Sequence, residues 1–157
     1  MDLLDFKALR SLMANGRVSW SDLATELGLS APSSAERVHR MEQQGVIEGY
    51  TAIVDPSSVG SELAAFVSVT LDHPRSRDAF ISFVQDLPEV QECHHIAGDH
   101  DYLLKVRCRN TKDLDRVISV ELKGLEGVSK TCTTIVLDTT KETPNVPLFN
   151  DIFTAKV

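Results

Sequence analysis

The sequence predicts a protein of the α+β class, with a helical N-terminal part and a C-terminal part built of strands and helices. Apolar residues recur every three to four positions from Asp2 to Gln44, which is typical of amphipathic helices. From Glu62 onward the patterns follow the order strand, helix, strand, strand, helix, strand. We therefore predict a helical domain of residues 1–54, a linker of residues 55–61, a second domain of residues 62–140 and a C-terminal arm of residues 141–157.

The composition is that of a globular protein, with 42% hydrophobic and 25% charged residues in a chain of 157. The longest uncharged apolar stretch, Leu63–Leu71, is nine residues long, whereas ~18 are needed to cross a bilayer. Asp2 and Asp5 stand where a signal peptide would carry Lys or Arg. The three cysteines lack metal-like pair spacing, and their odd number favours a reducing compartment. We expect a cytoplasmic protein without a membrane partner.

The first two helices have clear start and stop signals. Asp2 is a candidate N-cap with Asp5 in capping-box position, and Asn15-Gly16 ends the first helix. A second capping box, Ser19-Trp20-Ser21-Asp22, opens a short helix that stops at Gly28. The predicted inward positions are Phe6, Leu9, Leu12 and Met13 in the first helix, and Leu23, Ala24 and Leu27 in the second.

A third helix begins after Ser30, tolerates Pro32 in its first turn and closes at Gln44-Gly45. Its inward stripe is Ser34, Val38 and Met41. The four-residue turn Gly28-Leu29-Ser30-Ala31 joins it to the second helix, and residues 46–54 are predicted to form two short strands around Glu48-Gly49. Two helices joined by such a turn and followed by a hairpin predict a winged helix-turn-helix.

The second domain is predicted to be ferredoxin-like, with an antiparallel sheet and two helices on one face. The predicted strands are Leu63–Leu71, Val90–Ala97, Tyr102–Cys108 and Val128–Leu137. One helix spans Asp78–Leu87 with Ala79, Phe80, Phe83, Val84 and Leu87 inward, and the other follows Asn110/Thr111 with Leu114, Val117, Ile118 and Leu122 inward. The arm carries an apolar patch that we expect to dock on another surface, such as a partner subunit. It is formed by Val146, Leu148, Phe149, Ile152 and Phe153.

The third helix has the features of a DNA reader. Its N-terminus favours phosphate, and Arg37 and Arg40 can reach phosphates or guanine edges. The outward positions include Ala31, Ser33, Ala35, Arg37, His39 and Arg40. The net charge of −7 opposes bulk attraction to DNA, so a few local cations must carry binding. The alternative is a docking module in which Glu36 and Arg40 form a solvated pair.

The cluster Cys93-His94-His95 with His100 could suggest a metal site. Along a strand, Cys93 and His95 share one face while His94 lies on the other, so at most two ligands converge. Four-ligand zinc spacing is absent, and no oxyanion donor accompanies a Cys–His pair. We therefore expect no metal, no catalytic residues and no cofactor.

Several ordered motifs, spread over residues 2–138, closely resemble the Lrp/AsnC ("feast/famine") family of transcriptional regulators. In the helical half these are Leu4-Asp5, Asn15-Gly16-Arg17-Val18-Ser19, Leu23-Ala24 through Gly28-Leu29-Ser30, Glu36-Arg37-Val38-His39-Arg40-Met41-Glu42 and Gly45-Val46-Ile47-Glu48-Gly49-Tyr50-Thr51-Ala52. In the second half they are Gly98-Asp99-His100-Asp101-Tyr102-Leu103-Leu104-Lys105-Val106 and Thr131-Cys132-Thr133-Thr134-Ile135-Val136-Leu137.

The resemblance implies a sequence-specific regulator of double-stranded DNA. Family members form homodimers through their C-terminal sheets and assemble further, into tetramers or octamers, and an amino acid bound between dimers shifts assembly or DNA affinity. Carried onto this chain, the recognition helix spans residues 30–43, and the predicted DNA-binding residues are Ser30, Ala31, Ser33, Ser34, Arg37, His39 and Arg40. The predicted effector-binding residues are Gly98, Asp99, Asp101, Tyr102, Thr131 and Thr133.

The chemistry of the loop Gly98–Asp101 agrees with an amino acid ligand. Asp99 or Asp101 would receive the ammonium group, and Gly98 would let backbone N–H groups approach the carboxylate. The alternative is a tight turn between two strands. Two other functions remain open: a tetrapyrrole decarboxylase on the same architecture, which has no reason to keep a helix-turn-helix, and an amino-acid sensor that acts on a protein partner.

Overall fold

The structure is a computed structural model that describes residues 1–149. The chain divides into two compact units. The first unit contains Met1–Ile53 together with Glu142 and the described residues after it, and the second contains Val54–Lys141. The described part of the C-terminal arm is therefore built into the N-terminal unit.

The first unit has three helices, α1 (Leu3–Ala14), α2 (Trp20–Leu27) and α3 (Ala31–Gln43). Asp2 and Asp5 form the predicted capping box on α1, and the side chains of Ser19 and Ser30 cap α2 and α3. Gly28 ends α2 with φ at +69°, a left-handed conformation that favours glycine. The predicted starts and stops of these helices are confirmed.

All three helices contribute to the core of the first unit. The buried residues are Ala8, Leu9, Leu23, Leu27, Val38 and Met41. Leu148 of the C-terminal arm packs against this core, so the arm docks on its own chain. Val146 and Phe149 of the predicted apolar patch are exposed, and Ile152 and Phe153 lie outside the described residues.

The two wing strands predicted within residues 46–54 are wrong. The structure describes this segment completely and places no strand in it. The N–H groups of Val46 and Ile47 donate to the carbonyl of Met41, at 2.9 and 3.2 Å, so these residues finish the end of α3. An isolated two-stranded hairpin is marginal in water, and the rest of the segment is exposed. One local anchor is the Tyr50 hydroxyl, which donates to Glu42 on α3 at 2.8 Å.

The second unit has the predicted ferredoxin-like order. Its strands are β1 (Leu63–Leu71), β2 (Val90–His95), β3 (Tyr102–Cys108) and β4 (Val128–Ile135), and its helices are α4 (Arg77–Asp86) and α5 (Thr111–Asp115), which continues as a π-helix over Arg116–Leu122. The sheet order is β2-β3-β1-β4 and each neighbouring pair is antiparallel. β2 and β4 each end two residues before the predicted position, and Ala79, predicted to face inward, is exposed.

Both helices cover one face of this sheet. Ala65, Val67 and Val69 of β1 pack there with Phe80 of α4 and Leu114 of α5. The register places the alternate residues on the opposite face, which we call the outer sheet face: Ala64, Phe66 and Ser68 of β1, Leu103 and Lys105 of β3, and Cys132 and Thr134 of β4. Phe66 is 39% exposed there. Among residues 1–149, no helix is long and apolar enough to span a bilayer.

Candidate nucleic-acid interface and ligand loop

The surface of α3 separates into a buried stripe and an exposed stripe. Ser34, Val38 and Met41 are buried, as the spacing predicts. The residues open to solvent are Pro32, Ser33, Glu36, His39, Arg40 and Gln43. Ser34 is fully buried and its hydroxyl has no hydrogen-bond partner among the described residues, so its assignment as a DNA contact is corrected.

The N-terminus of α3 presents short side chains, and most of its backbone donors are already used: the Ser34 N–H, for example, donates to the Ser30 carbonyl at 3.0 Å. The hydroxyl of Ser30 accepts the Ser33 N–H at 3.3 Å and donates to the Ser33 hydroxyl at 2.9 Å. Ala31 is partly buried, and Pro32 has no N–H to offer. This first turn lets a phosphate approach the backbone, since short side chains leave room and the helix dipole favours an anion.

Arg37 does not extend into solvent. Its Nη1 donates to Asp2 Oδ2 at 2.7 Å and to Asp5 Oδ1 at 2.6 Å, and its side chain is 19% exposed. Arg40 Nη2 also donates to Asp5 Oδ1, at 3.2 Å, while the Arg40 side chain remains 52% exposed. The interpretation of Arg37 as an outward side chain is corrected, because it is enclosed by two carboxylates from α1 and its N-cap.

Ion pairing and the burial of Asp5 hold together the cluster of Asp2, Asp5, Arg37 and Arg40. The hydrogen bonds that Arg37 donates to Asp5, chiefly, and to Asp2 raise the pKa of Arg37 above its ordinary value, so its charge is permanent. Burial would raise the pKa of Asp2, but hydrogen bonds from the Asp5 N–H and from Arg37 outweigh it and hold the pKa below 3.8. Asp5 is 1% exposed, and removal of one partner from a buried ion pair typically costs about 3–5 kcal/mol.

His39 lies on the exposed stripe beside two neighbours on the same helix. Its ring nitrogens lie 2.9 Å from Gln43 Nε2 and 3.4 Å from Glu42 Oε2. Glu42 in turn accepts the Tyr50 hydroxyl. His39 lies about one turn beyond Glu36, and Gln43 about one turn beyond His39. Gln43 is a polar group that the spacing of the sequence did not single out.

In the second unit, Asp101 is fixed by backbone contacts. Its carboxylate accepts the Leu71 N–H at 2.7 Å, its own N–H donates to Val69 O at 3.0 Å, and its carbonyl accepts the Ile96 N–H at 2.9 Å. Asp99 is exposed, and Gly98 is exposed with φ at +155°. Of the two carboxylates predicted for an ammonium group, Asp101 holds the loop to β1, whereas Asp99 points a charge to solvent.

Tyr102 is part of the hydrophobic core and does not line an open loop. Its side chain is 2% exposed, and its ring lies 4.8 Å from Phe80 and 5.1 Å from His95 between centroids. Its hydroxyl has no hydrogen-bond partner among the described residues. The assignment of the Tyr102 side chain as an effector contact is corrected, because the ring packs on the face of the sheet that the helices cover.

Thr131 and Thr133 lie on β4, opposite Val69 and Val67 of β1. Val69 also pairs with Tyr102 of β3, so Thr131 is two strands away from the loop, roughly 10 Å. Because β1 lies between β3 and β4, one chain does not bring the two threonines together with the loop Gly98–Asp101.

The histidine and cysteine cluster disperses. His94 contacts Glu92 at 3.1 Å, and His100 contacts the Thr70 hydroxyl at 2.8 Å. Cys93 and His95 lie opposite Leu104 and Tyr102 on the helix side of β2. No group of three or more potential metal ligands occurs within the described part of the chain.

One cavity of about 420 Å³ lies in the second unit, between the segment after residue 54 and the ends of β2 and β3. Its charged lining residues include Glu89, Arg109 and Asp113. Arg109 is bound to Asp113 at 3.0 Å, and Glu89 is bound to Arg116, so these charges compensate each other.

A helix-turn-helix followed by a ferredoxin-like domain is the architecture found in two-domain, helix-turn-helix transcriptional regulators. Comparison with known families agrees: residues 1–48 match the winged helix-turn-helix DNA-binding model, and residues 64–146 match the Lrp/AsnC ligand binding domain. The chain belongs to the Lrp/AsnC family of transcriptional regulators.

Individual relatives are similar along nearly the whole chain. The leucine-responsive regulatory protein of Haemophilus influenzae is 39% identical over 145 residues, covering 91% of this chain and 87% of the relative. That of Escherichia coli K12 is 38% identical, covering 90% and 88%.

Solved structures of related regulators superpose closely. A transcriptional regulator from Neisseria meningitidis, solved in complex with L-Met, has a TM-score of 0.90 at 29% identity, covering 94% of this chain and 96% of the other. A feast or famine regulatory protein from Mycobacterium tuberculosis, complexed with L-methionine, has a TM-score of 0.86 at 34% identity, covering 92% and 97%.

Proposed function

We propose that this protein regulates transcription by binding specific sites in double-stranded DNA through α3. The observation that carries the proposal is the exposed stripe of α3, which combines a capped N-terminus with Ser33, His39, Arg40 and Gln43. The short side chains and the positive end of the helix dipole suit a phosphate at this N-terminus, and the polar side chains suit base edges in the major groove. Ser30 and Ala31 flank the same turn and contribute backbone groups.

The acidic balance of the chain makes assembly part of this function. One α3 offers few cations, so the affinity of a single copy for DNA is expected to be modest. We propose a homodimer that joins through the outer sheet face, where Phe66 and Leu103 offer apolar surface, and further association of dimers into tetramers or octamers. Two recognition helices would then address half-sites about 34 Å apart, and several dimers on one DNA would add avidity.

The ligand of the second domain is proposed to be an amino acid. Two relatives were solved with L-methionine, and the exposed carboxylate of Asp99 beside Gly98 suits an α-ammonium and an α-carboxylate. Because Thr131 and Thr133 lie across β1 from the loop, we propose that a neighbouring copy supplies the second half of the site. The ligand would change DNA affinity only through its different affinity for the assembly states.

We propose no catalytic activity, since the relatives are regulators, and we place the protein in the cytoplasm, where its DNA lies.

The test of DNA binding uses a duplex that the wild-type protein selects from a random 30-base-pair pool. Fluorescence anisotropy compares this duplex with a scrambled one over a KCl series, with and without L-methionine.

The expected result is a preference for the selected duplex that persists at ~150 mM KCl. Absence of any preference would contradict the proposal. L-methionine binding without a DNA preference would instead favour a sensor that acts on a protein partner, and a Soret band in the purified protein, from a tightly bound haem-like pigment, would favour the tetrapyrrole enzyme.

A further inference from the structure

The two arginines of α3 lie in different environments although they are one helical turn apart. Nη1 of Arg37 donates to carboxylate oxygens of both Asp2 and Asp5, at 2.7 and 2.6 Å. Among residues 1–149, Arg40 reaches only the Asp5 oxygen, at 3.2 Å, and it is half exposed. Spacing along the helix therefore does not distinguish them, whereas their contacts do.

The burial of Asp5 decides which arginine can leave the cluster. Its side chain is 2% exposed, and its other oxygen already accepts the Asp2 N–H at 2.7 Å. If Arg37 moved to a phosphate, the buried carboxylate would keep only the longer of its two arginine contacts, the one with Arg40, and Asp2 would lose the cation that it now binds. If Arg40 moved instead, Arg37 would still compensate both carboxylates. Leaving a buried charge without its partner is strongly unfavourable, so Arg37 is retained and Arg40 is released.

The cluster also links α3 to a defined part of α1. Asp2 is the N-cap and Asp5 the third residue of α1, and their capping box fixes both carboxylates on the first turn. Arg37 lies in the middle of α3, so its two hydrogen bonds fix the orientation of α3 relative to that turn.

We infer that Arg37 is a positioning residue that holds the recognition helix on the N-terminus of α1 and does not contact DNA, and that Arg40 is the arginine that α3 offers to a phosphate. The inference rests on the proposed binding of DNA by α3 and assigns different roles to its two arginines. It replaces the sequence-based expectation that both arginines contact DNA.

The test measures the affinity of the full-length protein for the selected and scrambled duplexes as a function of KCl concentration. Arg37→Gln and Arg40→Gln are matched variants, each losing one positive charge from α3. A phosphate contact adds about 0.9 to the slope of log affinity against log salt. Arg40→Gln is expected to reduce the slope by about that amount for each bound helix. Arg37→Gln is expected to leave the slope unchanged and to reduce the ratio of the two affinities by about tenfold, the size of effect typical of residues coupled in one network.

A second variant covers the case in which Arg37→Gln does not fold. Asp2→Asn keeps a good N-cap but removes one of the two carboxylates that hold Arg37. Loss of the Asp2 charge also strengthens the general attraction of the protein to DNA, but this gain cancels in the ratio of the affinities for the selected and scrambled duplexes. We expect that ratio to fall severalfold. Arg37→Lys, which retains the charge, is expected to restore most of the ratio lost in Arg37→Gln.

Three results are distinguishable. A slope that falls in Arg37→Gln as much as in Arg40→Gln would make Arg37 a phosphate contact and overturn the inference alone. Folded Arg37→Gln and Asp2→Asn proteins with an unchanged ratio would leave Arg37 a purely stabilising role, which also overturns it. A wild-type protein without any duplex preference would overturn the proposed function together with the inference.

Discussion

Asp5 and Arg37, thirty-two residues apart in the sequence, meet at 2.6 Å between Oδ1 and Nη1. The carboxylate is buried and is held in place by the capping box at the start of α1. This contact joins the first turn of α1 to the middle of α3, and it leaves Arg40 as the more exposed of the two arginines of α3.

Asp5→Asn is expected to destabilise the first unit. The change removes the charge from a buried carboxylate that accepts from Arg37, Arg40 and the Asp2 N–H, and we expect a loss of about 3 kcal/mol in the free energy of unfolding. Urea unfolding followed by the fluorescence of Trp20, the single tryptophan of the chain, reports on this unit. Glu26→Gln, a change at an exposed position of α2, is the control, and equal midpoints for both variants would contradict the prediction.

Phe66→Asp is expected to dissociate the proposed dimer. A carboxylate in the middle of the outer sheet face would be desolvated on association, and its cross-strand neighbour Lys105 already pairs with Glu92 at 3.0 Å, so the change is strongly unfavourable. Light scattering should show a mass near that of one 17.3 kDa chain. Val120→Asp is the matched control, because Val120 is exposed but lies on the π-helix. An unchanged mass for Phe66→Asp would refute assembly through this face.

Asp99 and Asp101 are expected to have different roles in ligand binding. Asp99→Asn should weaken L-methionine binding tenfold or more, since a hydrogen bond to a charged group contributes about 1.5–3 kcal/mol. Asp101→Asn should weaken it indirectly, by loosening the contact with Leu71 N–H, and should also lower the melting temperature. Isothermal titration calorimetry and thermal unfolding measure the two effects, with Asp86→Asn, on α4, as the control. Normal binding by Asp99→Asn would rule out its contact with the ammonium.

The second unit is expected to lose stability in acid through Asp113. Hydrogen bonds from Arg109 hold the pKa of Asp113 well below its ordinary value of 3.8, in spite of burial. Because the pKa is lower in the folded protein, the contribution of Asp113 is complete above about pH 4 and is lost progressively as the pH falls below that value. Asp113→Asn should therefore be less stable at pH 7 and show a weaker dependence between pH 4 and pH 2. If the free energies of unfolding of the two proteins changed by the same amount between pH 4 and pH 2, the prediction would be disproved.

Cys108 is expected to resist alkylation in the native protein. Burial, with a smaller effect of Asp113 and Glu89, raises the pKa of its thiol to about 11, and the side chain is 2% exposed. Cys93 and Cys132 are exposed. Iodoacetamide at pH 8, followed by mass spectrometry, should leave Cys108 unmodified until the protein is unfolded. Because Cys132 lies on the outer sheet face, its labelling should increase in Phe66→Asp, and equal labelling in both proteins would argue against burial in a dimer.

The amino-acid sequence determined the local elements of this protein. The helix boundaries at Ser19, Gly28 and Ser30 depend on contacts within three or four residues, so they could be predicted from the neighbouring sequence alone. The buried stripe of α3 and the order of strands and helices along the second domain followed from the period of the apolar residues for the same reason.

Only the tertiary structure decided what lies across from each side chain. Arg37 was correctly placed on a helix, but its partners Asp2 and Asp5 lie 35 and 32 residues away, and no local pattern specifies a pair at that separation. The burial of Tyr102 against Phe80, and the fixing of Asp101 by Leu71, depend equally on strands and helices that meet only after folding. The absence of the two predicted wing strands also depends on tertiary structure, because a strand is stable only where another backbone is present to exchange hydrogen bonds with it.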